Sequence, residues 1–228
     1  MKKLRFWLVD YWYMVKNWLA DLFFTEPPKD YLEKRGENKS DIIILPGLLG
    51  KWSFMKCVAD MLSEEGHAVH VILDLKNNLF DIPHSAEIVQ EYLEKKNITG
   101  AIFVAHSKGG LIGKYFLHYL NKDKRVLGMI SLATPFAGTA MAKMIPHKAV
   151  KELSPESPII EELGKNKEVN KQIISIMASF DNHVWPKEGV ILEDALENIT
   201  VEAFGHHKIV FDKETHKIIK KSIRKFSE

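Results

Sequence analysis

A serine stands at residue 107, between His106 and Lys108, where an apolar run stops and the pair Gly109-Gly110 begins. A serine hydroxyl attacks a carbonyl efficiently only when a histidine takes its proton, and that histidine needs a carboxylate to hold its tautomer and stabilise its cation. Ala105 and Gly109 flank Ser107 as "AHSKG". Small residues at those positions are what a sharp strand-to-helix turn requires, because the two backbones crowd there. Such a turn lifts the hydroxyl clear of the sheet and aims the next N–H, that of Lys108, at the space above it. The overlapping "GGLIGKY" is not a phosphate loop: three residues rather than four separate Gly109 from Gly113, and Tyr115 stands where Ser or Thr is needed. An ordinary helix cap would also use a serine here, so the reading depends on its partners.

On a parallel sheet with such an elbow the chain order runs serine, acid, histidine, each after a strand. Asp181 follows the apolar run "QIISIMASF", and Gly205-His206 follows "NITVEAF". Asp194 and Glu197 are weaker alternatives for the acid. An oxyanion formed during attack needs a second N–H from the loop after the first strand. In "ILPGLLGKW", Gly47 lets the backbone bend close, so the N–H of Leu48 is the expected donor beside that of Lys108. His106 is expected to pack near the site and His183 to lie in a loop. A metal reading of His206-His207 lacks further ligands at a set spacing, so no metal or organic cofactor is expected.

These groups need elements to hold them. "DIIIL", "AVHVILD", "GAIFVAH", "RVLGMISLA", "QIISIMASF" and "NITVEAF" read as six strands, most of them apolar enough to be buried on both faces. Helices are expected from a Ser53 cap through Glu65 with Gly66 as the stop, from a Ser85 cap, from Lys108 to about Leu120, and from Lys213 to Phe226. Alternation of strand and helix predicts an α/β fold: a mostly parallel sheet of about six strands, helices on both faces, and ligands at the strands' carboxyl ends. The stretch from Phe136 to about residue 170 is a long insertion, apolar yet broken by Pro146, Pro155 and Pro158. It is expected to form a small cap over the site.

The 228 residues suit a single principal domain; 46% are hydrophobic and 27% charged, as in globular proteins with a real core. A net charge of +2 and the lack of a basic stripe argue against nucleic acid as a partner. Cys57 is the single cysteine, which excludes an intrachain disulfide and favours an intracellular, cytoplasmic setting.

Residues 1–40 differ from the rest. "MKKLRFWLVDYWYMVKNWLADLFF" reads as a helix with a narrow polar stripe, Lys3, Asp10 and Asn17 with Asp21 beside them, on a broad aromatic body. Asp10 and Lys16 argue against a signal peptide and against a spanning helix. Two readings remain: a helix lying in the plane of a membrane surface through residues 1–24, which would make the protein peripheral there, and a helix packed on the protein's own body. Pro27-Pro28 ends it, and "KDYLEKRGENKS" reads as a polar connector leading to a catalytic domain at 41–228.

From Asp41 onward the chain resembles α/β-hydrolases, nearest to small bacterial lipases and lipase-like serine esterases. The resemblance rests on "PGLLG", "AHSKGG", "SLATPFAGTAMA", "SPESPIIEEL", "SFDNHVWP" and "GHHKIV", in that order. It implies Ser107 as nucleophile, Asp181 as orienting acid, His206 as base, and Leu48 and Lys108 as oxyanion donors. In the family the base directly follows a glycine and precedes an apolar pair, which selects His206 over His207. Pro46 stands where many members have histidine, and Lys108 is expected to bring a cation near the mouth. The implied activity is cleavage of a small-molecule or lipid ester through an acyl-enzyme. Acyl transfer, thioester or amide cleavage with the same residues, and a non-catalytic binding module on this fold, are the alternatives.

Overall fold

The computed structural model describes residues 2–20, 23–33, 36–37 and 39–226. Strands β1 (Ile42–Leu45), β2 (Val69–Val71), β3 (Ala101–His106), β4 (Val126–Leu132), β5 (Ile173–Phe180) and β6 (Glu197–Phe204) form one sheet in the order β2-β1-β3-β4-β5-β6. Every pairing is parallel. The helices are α1 (Lys2–Ala20), α2 (Asp30–Glu33), α3 (Lys56–Glu64), α4 (Ile82–Lys95), α5 (Lys108–Tyr115), α6 (Lys148–Lys151), α7 (Pro158–Lys165) and α8 (Lys213–Arg224).

Alternate residues of each strand feed two cores. Ile43, Leu45, Phe103, Ala105 and Met129 pack with side chains of α4, α5 and α7 on one face. Ile42, Ile44, Ile102, Val104 and Ile130 pack with α3 and α8 on the other. Burial on both faces is why the central strands read as unbroken apolar runs. β6, at the edge, alternates instead.

Some helix starts depart from the sequence expectation. Ser53 lies in a 3₁₀ turn, Trp52–Met55, and α3 begins at Lys56. Burial of Trp52, Phe54 and Met55 in the second core tightens the chain there before the helix opens. Gly66 ends α3 as expected, at φ 87°. α4 starts four residues ahead of Ser85's position as a cap: the Asp81 side chain accepts from the His84 N–H at 2.9 Å, Pro83 sits in the first turn, and Ser85 is buried inside the helix. The expected run to Leu120 holds, with a π-helical turn over Phe116–Leu120. The connector packs on the domain at Tyr31, which is buried beside Trp52 and whose hydroxyl donates to Asp60 at 2.6 Å.

α1 lies against the carboxyl end of the sheet. Phe6 stacks on Phe204 at 4.5 Å, Tyr13 on Phe211 at 5.1 Å, and Trp7 meets Trp185 at 6.0 Å. The polar stripe is turned inward: Asp10 is fully buried and Asn17 nearly so. The side chain of Lys3, and Asp21 altogether, lie outside what is described. No described helix is long and apolar enough to cross a membrane.

Candidate active site

β3 runs into α5 through Ser107 alone, at φ 52° and ψ −122°. A side-chain-bearing residue in this region stores roughly 1–3 kcal/mol of strain, which the surroundings must hold. They hold it from both sides: the Ser107 N–H donates to Leu132 O at 2.9 Å, and Ser107 O accepts from Gly110 N at 3.0 Å. Any Cβ at Gly109 would collide with the Leu45 carbonyl, so the glycine lets the helix start pass the end of β1.

The hydroxyl does not stand alone. His206 Nε2 lies 2.9 Å from Ser107 Oγ, and His206 Nδ1 lies 2.9 Å from Asp181 Oδ2. Asp181 Oδ1 accepts from the N–H groups of His183 and Val184 at 2.7 and 2.9 Å. The His206 N–H donates to Asn182 Oδ1, and the His206 carbonyl accepts from His106 Nε2, both at 3.0 Å. All three side chains are buried. Burial works to raise the Asp181 carboxyl, but His206 and the two backbone donors outweigh it, so it stays below its usual range and ionised. Burial works to lower His206, and Asp181 outweighs that too, leaving the imidazole above its ordinary value. Such an arrangement can take a proton from a hydroxyl as it attacks an electrophile and can stabilise the cation that results.

Leu48 and Lys108, the expected oxyanion donors, both have a free backbone N–H among the described residues. Leu48 lines the same cavity as Ser107 and His206. Neither N–H donates to an acceptor among the described residues, and Lys108, as first residue of α5, has no intrahelical acceptor. The Lys108 side chain corrects an expectation. It is fully buried rather than near the mouth, with Nζ donating to the Phe80 and Asn78 carbonyls and lying 3.4 Å from Glu152 Oε2. A cation inside the protein must be paired. The other Glu152 oxygen accepts from the Ile82 N–H at 2.7 Å. Asp194 and Glu197, the alternative acids, are not in this network; the Glu197 carboxylate pairs with Lys225.

The cavity, of about 290 Å³, is mostly apolar. The expected cap divides in two. Met141, Ala142, Ile145, Val150 and Leu153 wall the cavity, whereas Ile160 and Leu163 of α7 pack into the first core. Sequence reasoning missed that Tyr11, Met14 and Trp18 of α1 form another wall. It also missed Asp10, whose Oδ1 accepts from the N–H groups of His207 and Lys208 at 2.8 and 2.9 Å, and whose Oδ2 meets His207 Nδ1 at 2.8 Å. A lone acid on an aromatic helix carries no local sign of such a partner. His183 stacks on His206 at 4.9 Å, and Phe54 on His106 at 5.3 Å. Asp10, His183 and His207 lie close enough to share an ion, with candidate atoms within 4.8 Å, but the carboxylate already accepts from three N–H groups.

No protein-family model and no curated protein sequence matches the chain. Solved structures do. Lipase B of Aspergillus fumigatus superposes with a TM-score of 0.71 at 16% identity, over 84% of this chain and 54% of that one, so this chain spans about half its length. An alpha/beta hydrolase enzyme from a sediment metagenome of the lagoon of Mar Chica gives 0.62 at 18% identity, over 84% and 93%. The mature lipase of Bacillus licheniformis gives 0.67 at 15% identity, over 87% and 96%. The chain has the α/β-hydrolase fold.

Proposed function

We propose that the protein is a serine hydrolase that cleaves carboxylic esters with a lipophilic acyl chain. The observation that carries this reading is the continuous hydrogen-bonded relay from Ser107 through His206 to Asp181, opening onto an apolar cavity. Ser107 Oγ attacks the acyl carbon as His206 Nε2 takes its proton. The N–H groups of Leu48 and Lys108 hold the developing oxyanion; a donor of this kind is typically worth about 2.7–4 kcal/mol to the transition state. His206 then protonates the departing alcohol. Water, activated by the same imidazole, attacks the acyl-enzyme and releases the acid. Burying acyl methylenes in the cavity contributes roughly 0.8 kcal/mol each, so octanoyl esters are expected to outpace acetyl esters. A fluorophosphonate probe should label wild-type protein and leave Ser107→Ala unlabelled. Folded wild-type protein that resists the probe would favour a binding module instead.

The same reading assigns the substrate to an anionic lipid surface. Leu4, Leu8, Trp12, Val15 and Leu19 form a stripe on the outward face of α1, each 44% or more exposed. Trp18, Leu49 and Ile145 are exposed and also line the cavity. Arg5 and Lys16 are exposed on the same helix, and cations there complement acidic headgroups. A Leu8→Glu, Trp12→Glu double variant should hydrolyse a soluble ester normally but no longer sediment with anionic liposomes. Undiminished sedimentation would remove lipid from this proposal.

A further inference from the structure

Asp10 is the one carboxylate that α1 inserts into the protein, and it meets the turn that carries His206. Its Oδ1 accepts from two successive backbone N–H groups, those of His207 and Lys208, directly after His206. Its Oδ2 faces His207 Nδ1 at 2.8 Å. Gly205, directly before His206, has φ 137°, and any Cβ there would collide with the Asp10 carboxylate. The base-bearing turn is therefore gripped from Gly205 to Lys208 by one side chain nearly two hundred positions away in sequence, the separation being 197 for His207. A buried anion costs several kcal/mol unless paired and hydrogen-bonded. A neutral acceptor would satisfy the two backbone N–H groups without that cost, so the charge itself calls for a use.

We infer that Asp10 is a positioning residue for the proposed ester hydrolysis: it clamps the turn bearing His206 and supplies a second negative charge behind the imidazole that must become cationic. The inference rests on the reading of Ser107, His206 and Asp181 given above and adds a residue from α1 to it. Asp10 does not touch the reacting atoms and acts through the turn and through its field. The ionisable groups facing it are His207, by direct contact, with His183, His206 and Tyr11 close by. Those facing His206 are Asp181 and Ser107, by hydrogen bond, with His106, His183 and His207 as ring neighbours. Burial lowers His106, His183 and His207, so these neighbours stay neutral while His206 titrates. Asp181 and Asp10 are the two anions in the group. Burial works to raise Asp10, but its contacts with His207 and Lys208 and the field of His206 hold it ionised.

The test uses the full chain and a soluble p-nitrophenyl ester. Asp10→Asn keeps an oxygen for the two backbone N–H groups and removes the charge. Its kcat is expected to fall by about tenfold, with KM unchanged and the acid limb of kcat/KM moved to lower pH by up to about one unit. Asp10→Ala loses clamp and charge together and should fall further. Wild-type kcat and an unmoved acid limb in Asp10→Asn would overturn the inference, and so would a rise in KM alone, which marks a cavity-wall role. If the Asn variant does not fold, Asp10→Ser, smaller and also an acceptor, repeats the measurement. Failure of both to fold would reduce Asp10 to a structural residue and overturn the inference. Labelling of wild-type Ser107 separates the two readings: a wild type that resists the probe fails the hydrolase reading itself, whereas normal labelling with an unchanged Asp10→Asn fails this inference alone.

Discussion

Four histidines, His106, His183, His206 and His207, meet beside one cavity. Burial alone would make all four poor proton acceptors. It pushes His183 down to about 3 and lowers His106 and His207 as well. His206 alone of the group is raised, because a buried, fully hydrogen-bonded carboxylate faces its Nδ1. The environment rather than the residue type singles out His206 as the proposed base. His206→Ala should therefore be as damaging as Ser107→Ala, roughly a million-fold in kcat, whereas His207→Ala should stay within about tenfold because its clamping N–H is backbone. Steady-state kinetics on the purified variants decide this, and the reverse order would move the base by one residue. The meeting of Ser107, Asp181 and His206 was legible because each follows a strand and each residue type is chemically restricted. The separation of His206 from its neighbour needed a family register in the sequence, and in the fold it follows from where Asp181 points.

At the scale of elements, α5 does more than start behind Ser107. Its first side chain, Lys108, runs into the protein and ties the elbow to Glu152 beside α6. Glu152 in turn caps the first N–H of α4. The cavity wall and the elbow are thus joined by a buried ion pair. Breaking such a pair from one side leaves the other charge stranded and typically costs 3–5 kcal/mol. Glu152→Ala is expected to cost about 3 kcal/mol, towards the low end because Lys108 keeps its two carbonyl acceptors. Urea unfolding measures it, and an unchanged midpoint would show that the pair contributes nothing. A lysine after a serine looks like a surface charge in sequence, since nothing local says which way a long side chain points. The starts of α3 and α4 were misjudged for a related reason. Ser53 and Ser85 have the right chemistry for caps, but burial of Trp52 and Met55 and the Asp81 carboxylate decided where each helix begins.

For the molecule as a whole, the same buried groups link stability to pH. His106, His183 and His207 are held neutral below the free imidazole value of 6.5, so the unfolded chain binds more protons than the folded one as pH falls through that value. Their contribution is complete above about 6.5 and is lost progressively below it, down to about 3 for His183. His206, raised by Asp181, contributes in the opposite sense: fully at low pH, lost as pH rises through its folded value. Asp10 and Asp181 add stability that persists until pH falls below the carboxylate range. Three histidines outweigh one, so the Tm should drop steadily from pH 7 to pH 4. A flat Tm by circular dichroism over that interval would mean that these rings are not held neutral.

Local sequence determined the sheet and the elbow. Apolar runs of strand length alternating with helical periods leave few arrangements other than a parallel sheet, and a bare serine at a strand end with small residues two positions to either side admits few backbones. What the tertiary structure decided is the fate of polar groups with no local partner. On its own helix, Asp10 belongs to a polar stripe that should face water. It faces inward because two backbone N–H groups and an imidazole from the far end of the chain satisfy its charge. That pairing turns the outer, apolar side of α1 to solvent and makes the helix a wall of the cavity. Hydrophobic pattern follows from neighbours a few residues apart. Satisfaction of a buried charge depends on groups that only the complete fold brings within three ångströms.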